Sequence, residues 1–221
     1  MKAVISADLI NSTEYPEQLL NAVLDGLKAE FQLITESKEA QFSLFRGDSF
    51  QGVVENPSEA LKIVLLLKSA INRIHLQDTR KRKAFPVQAD IRTAIGIGSV
   101  DFQRETISES NGQAFQFSGR TLDDMKNGPH KLLLACPDDE VNGEFQASFL
   151  LFDQLADRWS TASAEVVYFS LKGLKEKEIA EKLGISQSAV NQRKKASGWE
   201  AIEVLLNRFE SVISEKFSDG K

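Results

Sequence analysis

The sequence predicts an α+β fold, a βαββαβ sandwich over residues 1–158 followed by an all-α helix-turn-helix domain over 159–221. Three observations predict it. Short β-rich runs alternate with longer runs of helical period through the first part of the chain. The small polar run Trp159-Ser160-Thr161-Ala162-Ser163 marks a boundary. Beyond it the pattern is helical only, broken by a turn at Gly184.

The elements follow in order. Lys2 to Ala7 is an apolar strand, ended by Asp8 and followed by the polar loop Asn11-Ser12-Thr13 and a helix over 16–34. Strands 41–46 and 49–55 are joined through Arg46-Gly47-Asp48, residues that tolerate a tight hairpin turn. A helix over 58–77 opens with Ser58 as its cap, and Leu61, Val64, Leu65, Lys68 and Ile71 form the stripe that packs on the sheet in a two-layer sandwich. Strand 87–98 alternates and then turns glycine-rich at Gly96 and Gly98, which permits close backbone approach. The polar stretch 99–111 reads as a loop or flap near the site. A helix around 113–127 gathers Arg120, Asp123 and Asp124, with Ser118-Gly119 suited to a phosphate or a cap; strand 130–136 and helix 142–158 complete this part.

In the last part Ser163 caps a first helix, Ile179, Ala180 and Leu183 share the inner face of a second, and Ser186 caps a third after the Gly184 turn. Ala189 and Val190 point inward there, which leaves Gln187, Ser188, Asn191, Gln192 and Lys194 to meet solvent or a groove. These are base-reading side chains at the start of a recognition helix, and Arg193, Lys194 and Lys195 would neutralise phosphates of double-stranded DNA. The alternative is a small helical bundle for protein contacts. A closing helix from Trp199 to about Phe217 carries an apolar stripe that packs back or dimerises.

Composition narrows the classes. At 221 residues, 42% hydrophobic and 27% charged, the chain reads as an ordinary globular protein. No run approaches the roughly 18 apolar residues of a membrane helix, so no membrane partner is expected and the cytoplasm is the expected location. Cys136, the single cysteine, excludes an intramolecular disulfide and reads as the buried end of a strand. His75 and His130 are too few and too scattered for a histidine metal site. A net charge of −5 argues against a surface that coats nucleic acid, and the cluster Arg80-Lys81-Arg82-Lys83 reads as a solvated loop.

The candidate chemistry lies in Asp8 and Asp48. An acid at the end of a strand and an acid at a hairpin tip supply two carboxylates. Mg²⁺ or Mn²⁺ is a hard ion that one or two carboxylates plus phosphate oxygens satisfy. The loop Asn11-Ser12-Thr13, ahead of a helix, offers backbone N–H groups to phosphate. A nucleotide is therefore the first ligand to expect.

The succession DLINST, FRGDSFQG and IRTAIGIGSV resembles the class III adenylate and guanylate cyclase core, a ferredoxin-like, palm-like fold, and RGDSF is similar to the hairpin turn of diguanylate cyclases. The resemblance implies that Asp8 and Asp48 bind metal, that Asn11, Ser12, Thr13, Arg46, Gly47, Arg92, Arg120 and Asp123 bind nucleotide, and that the protein is a homodimer. GRTLDDMKN departs from the family's Gly-x-x-Val-Asn-x-Ala-x-Arg: Asp123 stands for the Asn and Asn127 for the Arg, which removes a cation from the leaving phosphates. Leu44 stands for the lysine that reads adenine. The C-terminal run resembles the helix-turn-helix of sigma factors and LuxR-type regulators. The whole arrangement resembles the SatD family of bacterial proteins. Expected, then, is a regulatory DNA-binding protein whose cyclase-like domain senses a nucleotide or metal, with Ser186, Gln187, Ser188, Asn191, Gln192, Arg193 and Lys194 on the DNA. The alternatives are an active nucleotidyl cyclase or nucleotidyltransferase, and a non-catalytic interaction scaffold.

Overall fold

The computed structural model describes residues 1–37, 40–45, 47–75, 88–101, 110–126 and 128–217. Arg46, Asn127, the cluster Arg80 to Lys83 and most of the polar stretch 99–111 lie outside them. One five-stranded sheet organises the chain, in the order β2-β3-β1-β4-β5. Its strands are β1 (Lys2–Leu9), β2 (Ala40–Phe45), β3 (Ser49–Val54), β4 (Ile91–Gly98) and β5 (Leu132–Ala135). The first four pair antiparallel with helices α1 (Glu17–Glu36) and α2 (Ala60–Asn72) as their crossovers. That connection and strand order is the βαββαβ ferredoxin-like arrangement. The expected helix around 113–127 and strand 130–136 follow as α3 (Gln113–Met125) and β5, whose place in the sheet the sequence pattern left open. Helix α3 returns the chain to β5, which pairs parallel with β4 and makes β4 an inner strand.

The period-2 pattern of β1 explains the layers. Ala3, Ile5, Ala7 and Leu9 face the main core with Leu27, Phe31, Leu61 and Leu65, whereas Val4 packs on the other face with Val53 and Ala114 of α3. The sheet is therefore covered on both faces around β1 and β4, not in the two layers expected. Gly96 allows this: a Cβ there would lie 2.2 Å from the Ala114 carbonyl oxygen and 2.5 Å from the Ser118 nitrogen. Ser118 sits inside α3, fully buried; its hydroxyl donates to the Phe115 carbonyl and accepts a 2.9 Å hydrogen bond from Ser6, which in turn accepts one from Gln51. Helix α3 begins at Gln113 after Gly112, so Ser118-Gly119 lies inside it and not at its start. Ser58 likewise is no helix cap; it lies in the short 3-10 turn Pro57–Glu59, whose cap is Asn56.

Helix α4 (Asp139–Ala156) is capped by Asp138, which accepts from the backbone of Glu140 and Val141. Four helices follow: α5 (Thr161–Leu171), α6 (Glu176–Leu183), α7 (Gln187–Ser197) and α8 (Trp199–Phe217). Ser160, not Ser163, caps α5, and Ser163 is buried within its first turn. Gly184 takes the left-handed conformation after α6 (φ 65°) and Gly198 after α7 (φ 71°), where glycine meets no Cβ penalty. Ser186 caps α7 by accepting from Ala189, and Ile179 and Val190 are fully buried between α6, α7 and α5. The stripe of α8 packs back rather than standing free, with Phe209 against Phe145 and Phe149 of α4. One apolar cluster runs from the sheet through α4 into Trp159, Val167, Trp199 and Ile213.

Candidate metal and nucleotide site at the end of β1

Asp8 and Asp48 come together because the β1–β3 register places Asp8 opposite Ser49, the first residue after the hairpin tip. The Leu9 N–H donates to the Asp48 carbonyl at 2.8 Å and extends that pairing past the strand. Gly47 turns the tip with φ 80°. Asp48 accepts from Ser12 Oγ at 3.1 Å and from Ser49 Oγ at 3.3 Å, so the loop after β1 is tied to the hairpin through one carboxylate. On the other side, β4 places Arg92 opposite Asp8. Arg92 Nη1 lies 3.7 Å from Asp8 Oδ1, too far for a good hydrogen bond.

The loop itself is anchored from below. Asn11 adopts the left-handed conformation (φ 54°) and Ser12–Glu14 form a 3-10 turn. The buried Tyr15 hydroxyl donates to the Ile10 carbonyl at 2.7 Å and accepts from the Asp90 N–H at 3.0 Å, while the Ile10 N–H donates to the Asp90 carbonyl at 2.9 Å. Burial pushes the Asp90 carboxyl up, but Lys68, Lys131 and a hydrogen bond from Asn72 outweigh it and hold it below the usual range. The sequence pattern had placed Lys68 on an apolar stripe; it is buried because it pairs with Asp90.

Asp8 is the chemically unsettled member. Its side chain is only 18% exposed, and its Oδ1 is buried without a hydrogen-bond donor. Burial raises its pKa; Arg92 and Lys126 pull it down, and Asp48 and Asp123 push it up. An orphaned carboxylate oxygen beside a second carboxylate is a donor set that a divalent cation satisfies. Among the described residues no group of three or more His, Cys, Asp or Glu is arranged to hold an ion, so ligand oxygens would have to complete the coordination.

The remaining candidates divide. Ser12 and Arg92 join the acids. Asn11, Thr13 and Gly47 are exposed around them. Asp123, exposed on the last turn of α3, pairs with Lys126 at 2.6 Å, and both charges act on Asp8. Arg120 is exposed one turn earlier. Leu44 packs against the main core, on the face away from Asp8. Sequence reasoning missed Lys126, whose nearness to Asp8 follows from the path of α3.

In the C-terminal part Ser186, Gln187, Ser188, Asn191 and Gln192 are exposed on α7. Arg193 and Lys194 are half-buried and engaged: Arg193 with Glu165 at 3.4 Å, Lys194 with Glu176 at 3.9 Å and over the Trp199 ring. Lys195 is the exposed cation of that run. Cys136 follows β5, buried, its thiol pushed up to about 11 by burial. No helix among the described residues is long and apolar enough to cross a membrane.

No protein-family model matches the chain, and no curated protein matches it in sequence. Among solved structures it is similar to a bacterial light-regulated adenylyl cyclase, at 14% identity over 66% of this chain and 79% of that one, with a TM-score of 0.41. It is also similar to the catalytic core of a rhodopsin-guanylyl cyclase in complex with ATPαS (18% identity, 55% and 71% of the two chains, TM-score 0.37). A third is the dimeric guanylyl cyclase domain of the RhoGC fusion protein from the aquatic fungus Blastocladiella emersonii (16%, 52% and 82%, TM-score 0.33). TM-scores this low carry no weight for activity or ligand; the strand order and the pairing of Asp8 with Asp48 stand without them.

Proposed function

We propose that the protein binds a nucleoside triphosphate together with Mg²⁺ or Mn²⁺ at the end of β1, as a nucleotidyl cyclase-like domain. The observation that carries this reading is the orphaned, desolvated Asp8 carboxylate set beside Asp48. Asp8 and Asp48 would hold the ion, which when bound supplies Lewis acidity to the phosphates and to an attacking hydroxyl. Ser12 orients Asp48, the Asn11-Ser12-Thr13 loop presents its backbone to the phosphates, and Arg92 faces the same charge. With Asn127 where the resembled family carries an arginine, no cation from that position would stabilise leaving phosphates, so turnover is measured apart from binding. A homodimer fits the same reading.

The test is chromatography of ATP, GTP, CTP and UTP after incubation with the protein and Mn²⁺, run with equilibrium binding of each nucleotide, for wild type, Asp8→Asn and Asp48→Asn. A cyclic or oligomeric product lost in both variants makes the protein an enzyme. Binding lost in both without conversion makes it a sensor. No nucleotide binding by wild type removes the reading.

A second reading is favoured by one surface. The exposed polar side chains Gln187, Ser188, Asn191 and Gln192 lie on α7, directly after the Gly184 turn and the Ser186 cap. We infer that α6 and α7 form a DNA-reading helix-turn-helix, the architecture to which the SatD resemblance also points. Gel-shift selection from random duplexes tests it. Asn191→Ala should relax sequence preference, and Lys195→Ala should weaken all duplexes and lower the salt slope by about one. Absence of any selected duplex overturns it.

A further inference from the structure

Helix α3 has a fixed path. Its first turn lies against Gly98, where a Cβ would meet Gln113 and Ala114, and Ser118 bonds to Ser6 of β1. It therefore runs along β1 toward Asp8. Eight helical residues from Ser118 to Lys126 advance roughly 12 Å. Two strand residues from Ser6 to Asp8 advance only about 7 Å. The last turn of α3 thus reaches the level of Asp8, with Lys126 at its end. Asp8 and Arg92 both act electrostatically on Lys126, and Lys126 on Asp8. Its side chain is 54% exposed, and its ammonium is bonded to the Asp123 carboxylate. Two of its three N–H donors remain for a ligand.

We propose that Lys126 is the phosphate-contacting cation of this site, the residue that makes it select polyphosphates over metal alone or monophosphates. The inference rests on the nucleotide reading above and deepens it. Arg92 lies half-buried beside Asp8, whereas Lys126 is the more exposed of the two cations. Lys126 stands at the end of α3 on a flexible stem, where the outer phosphates of a metal-bound chain would emerge. A lysine acts there as a point charge that follows the phosphates, without the bidentate geometry of arginine.

The experiment titrates wild type, Lys126→Ala and Lys126→Arg with Mn²⁺ alone, and, in the presence of Mn²⁺, with ATP, GTP, AMP, GMP and inorganic tripolyphosphate. Loss of one charge-assisted contact should weaken triphosphate and tripolyphosphate binding about 10- to 100-fold in Lys126→Ala. Mn²⁺ alone and the monophosphates should bind unchanged, and Lys126→Arg should keep most of the affinity. A purely structural role would shift all ligands together, or none. Equal triphosphate binding by Lys126→Ala and wild type overturns the assignment while leaving the nucleotide site intact. Lys126-dependent binding of tripolyphosphate without nucleotide binding upholds the assignment and overturns the nucleotide reading. No binding of any phosphate by wild type overturns both.

Discussion

Burial raises the carboxyls of two aspartates, Asp153 and Asp8, above the usual range. Asp153 of α4 is 1% exposed; its Oδ2 accepts from the Lys131 and Leu132 N–H groups, and its Oδ1 has no partner. Burial raises its pKa to about 6. A carboxyl raised in the folded state contributes stability that is present below its unfolded value near 3.8 and lost as pH rises through about 6. Asp153→Asn escapes that loss, which corresponds to ~3 kcal/mol at most. Its melting temperature relative to wild type should therefore climb between pH 4 and 6.5 and then level off; a flat difference would refute the shift. Asp8 is raised for the same reason, and its cost has a use. In metal-free buffer at pH 7, Asp8→Asn should melt no lower than wild type. With Mn²⁺ only wild type should gain, because only a ligand of the folded state raises the melting temperature. Lowering the pH should weaken Mn²⁺ binding as Asp8 takes up its proton.

At the scale of elements, glycine separates two kinds of constraint. Gly184→Ala meets no atom within 4 Å and should cost only the left-handed penalty, about 1 kcal/mol. Gly96→Ala drives a methyl into the backbone of α3, so its loss should be several-fold larger and should weaken Mn²⁺-dependent binding, because α3 carries Asp123 and Lys126. Denaturant melts of the two variants check the ranking. Much of this level was legible in the sequence. The β1, β2 and β3 strands, α1, and the inward residues of α6 and α7 follow from period and turn chemistry, and the Asp8–Asp48 pairing follows from a strand end and a hairpin tip. Other features needed three dimensions. Gly96 signalled close approach but not which element approached, so α3 on the second face and β5 outside β4 went unread. Ser58 and Ser163 carry good capping side chains, yet Asn56 caps the 3-10 turn ahead of α2 and Ser160 caps α5. Lys126 has no local signature; only the direction of α3 brings it to Asp8.

Across the whole molecule the sheet and the C-terminal helices are joined by polar as well as apolar contacts. Tyr168 of α5 donates to the buried Glu30 of α1, Lys172 pairs with Glu30 at 3.1 Å, and Arg73 stacks 3.8 Å over the Tyr168 ring. Tyr168→Phe leaves Glu30 with Lys172 alone and should destabilise by about 1–3 kcal/mol. Because one apolar cluster spans both parts, calorimetric unfolding should show a single transition in wild type and in this variant. Two resolved transitions would mean the parts melt separately. The seam also holds both tryptophans of the sequence. Trp159 is buried with its indole N–H donating to the Ser197 carbonyl at 2.9 Å, and Trp199 is buried beneath Lys194. Tryptophan emission, excited apart from that of Tyr15 and Tyr168, therefore reports on the junction: a red shift on adding nucleotide would be an optical record of the site at β1 being felt where α7 meets the rest, read without any label.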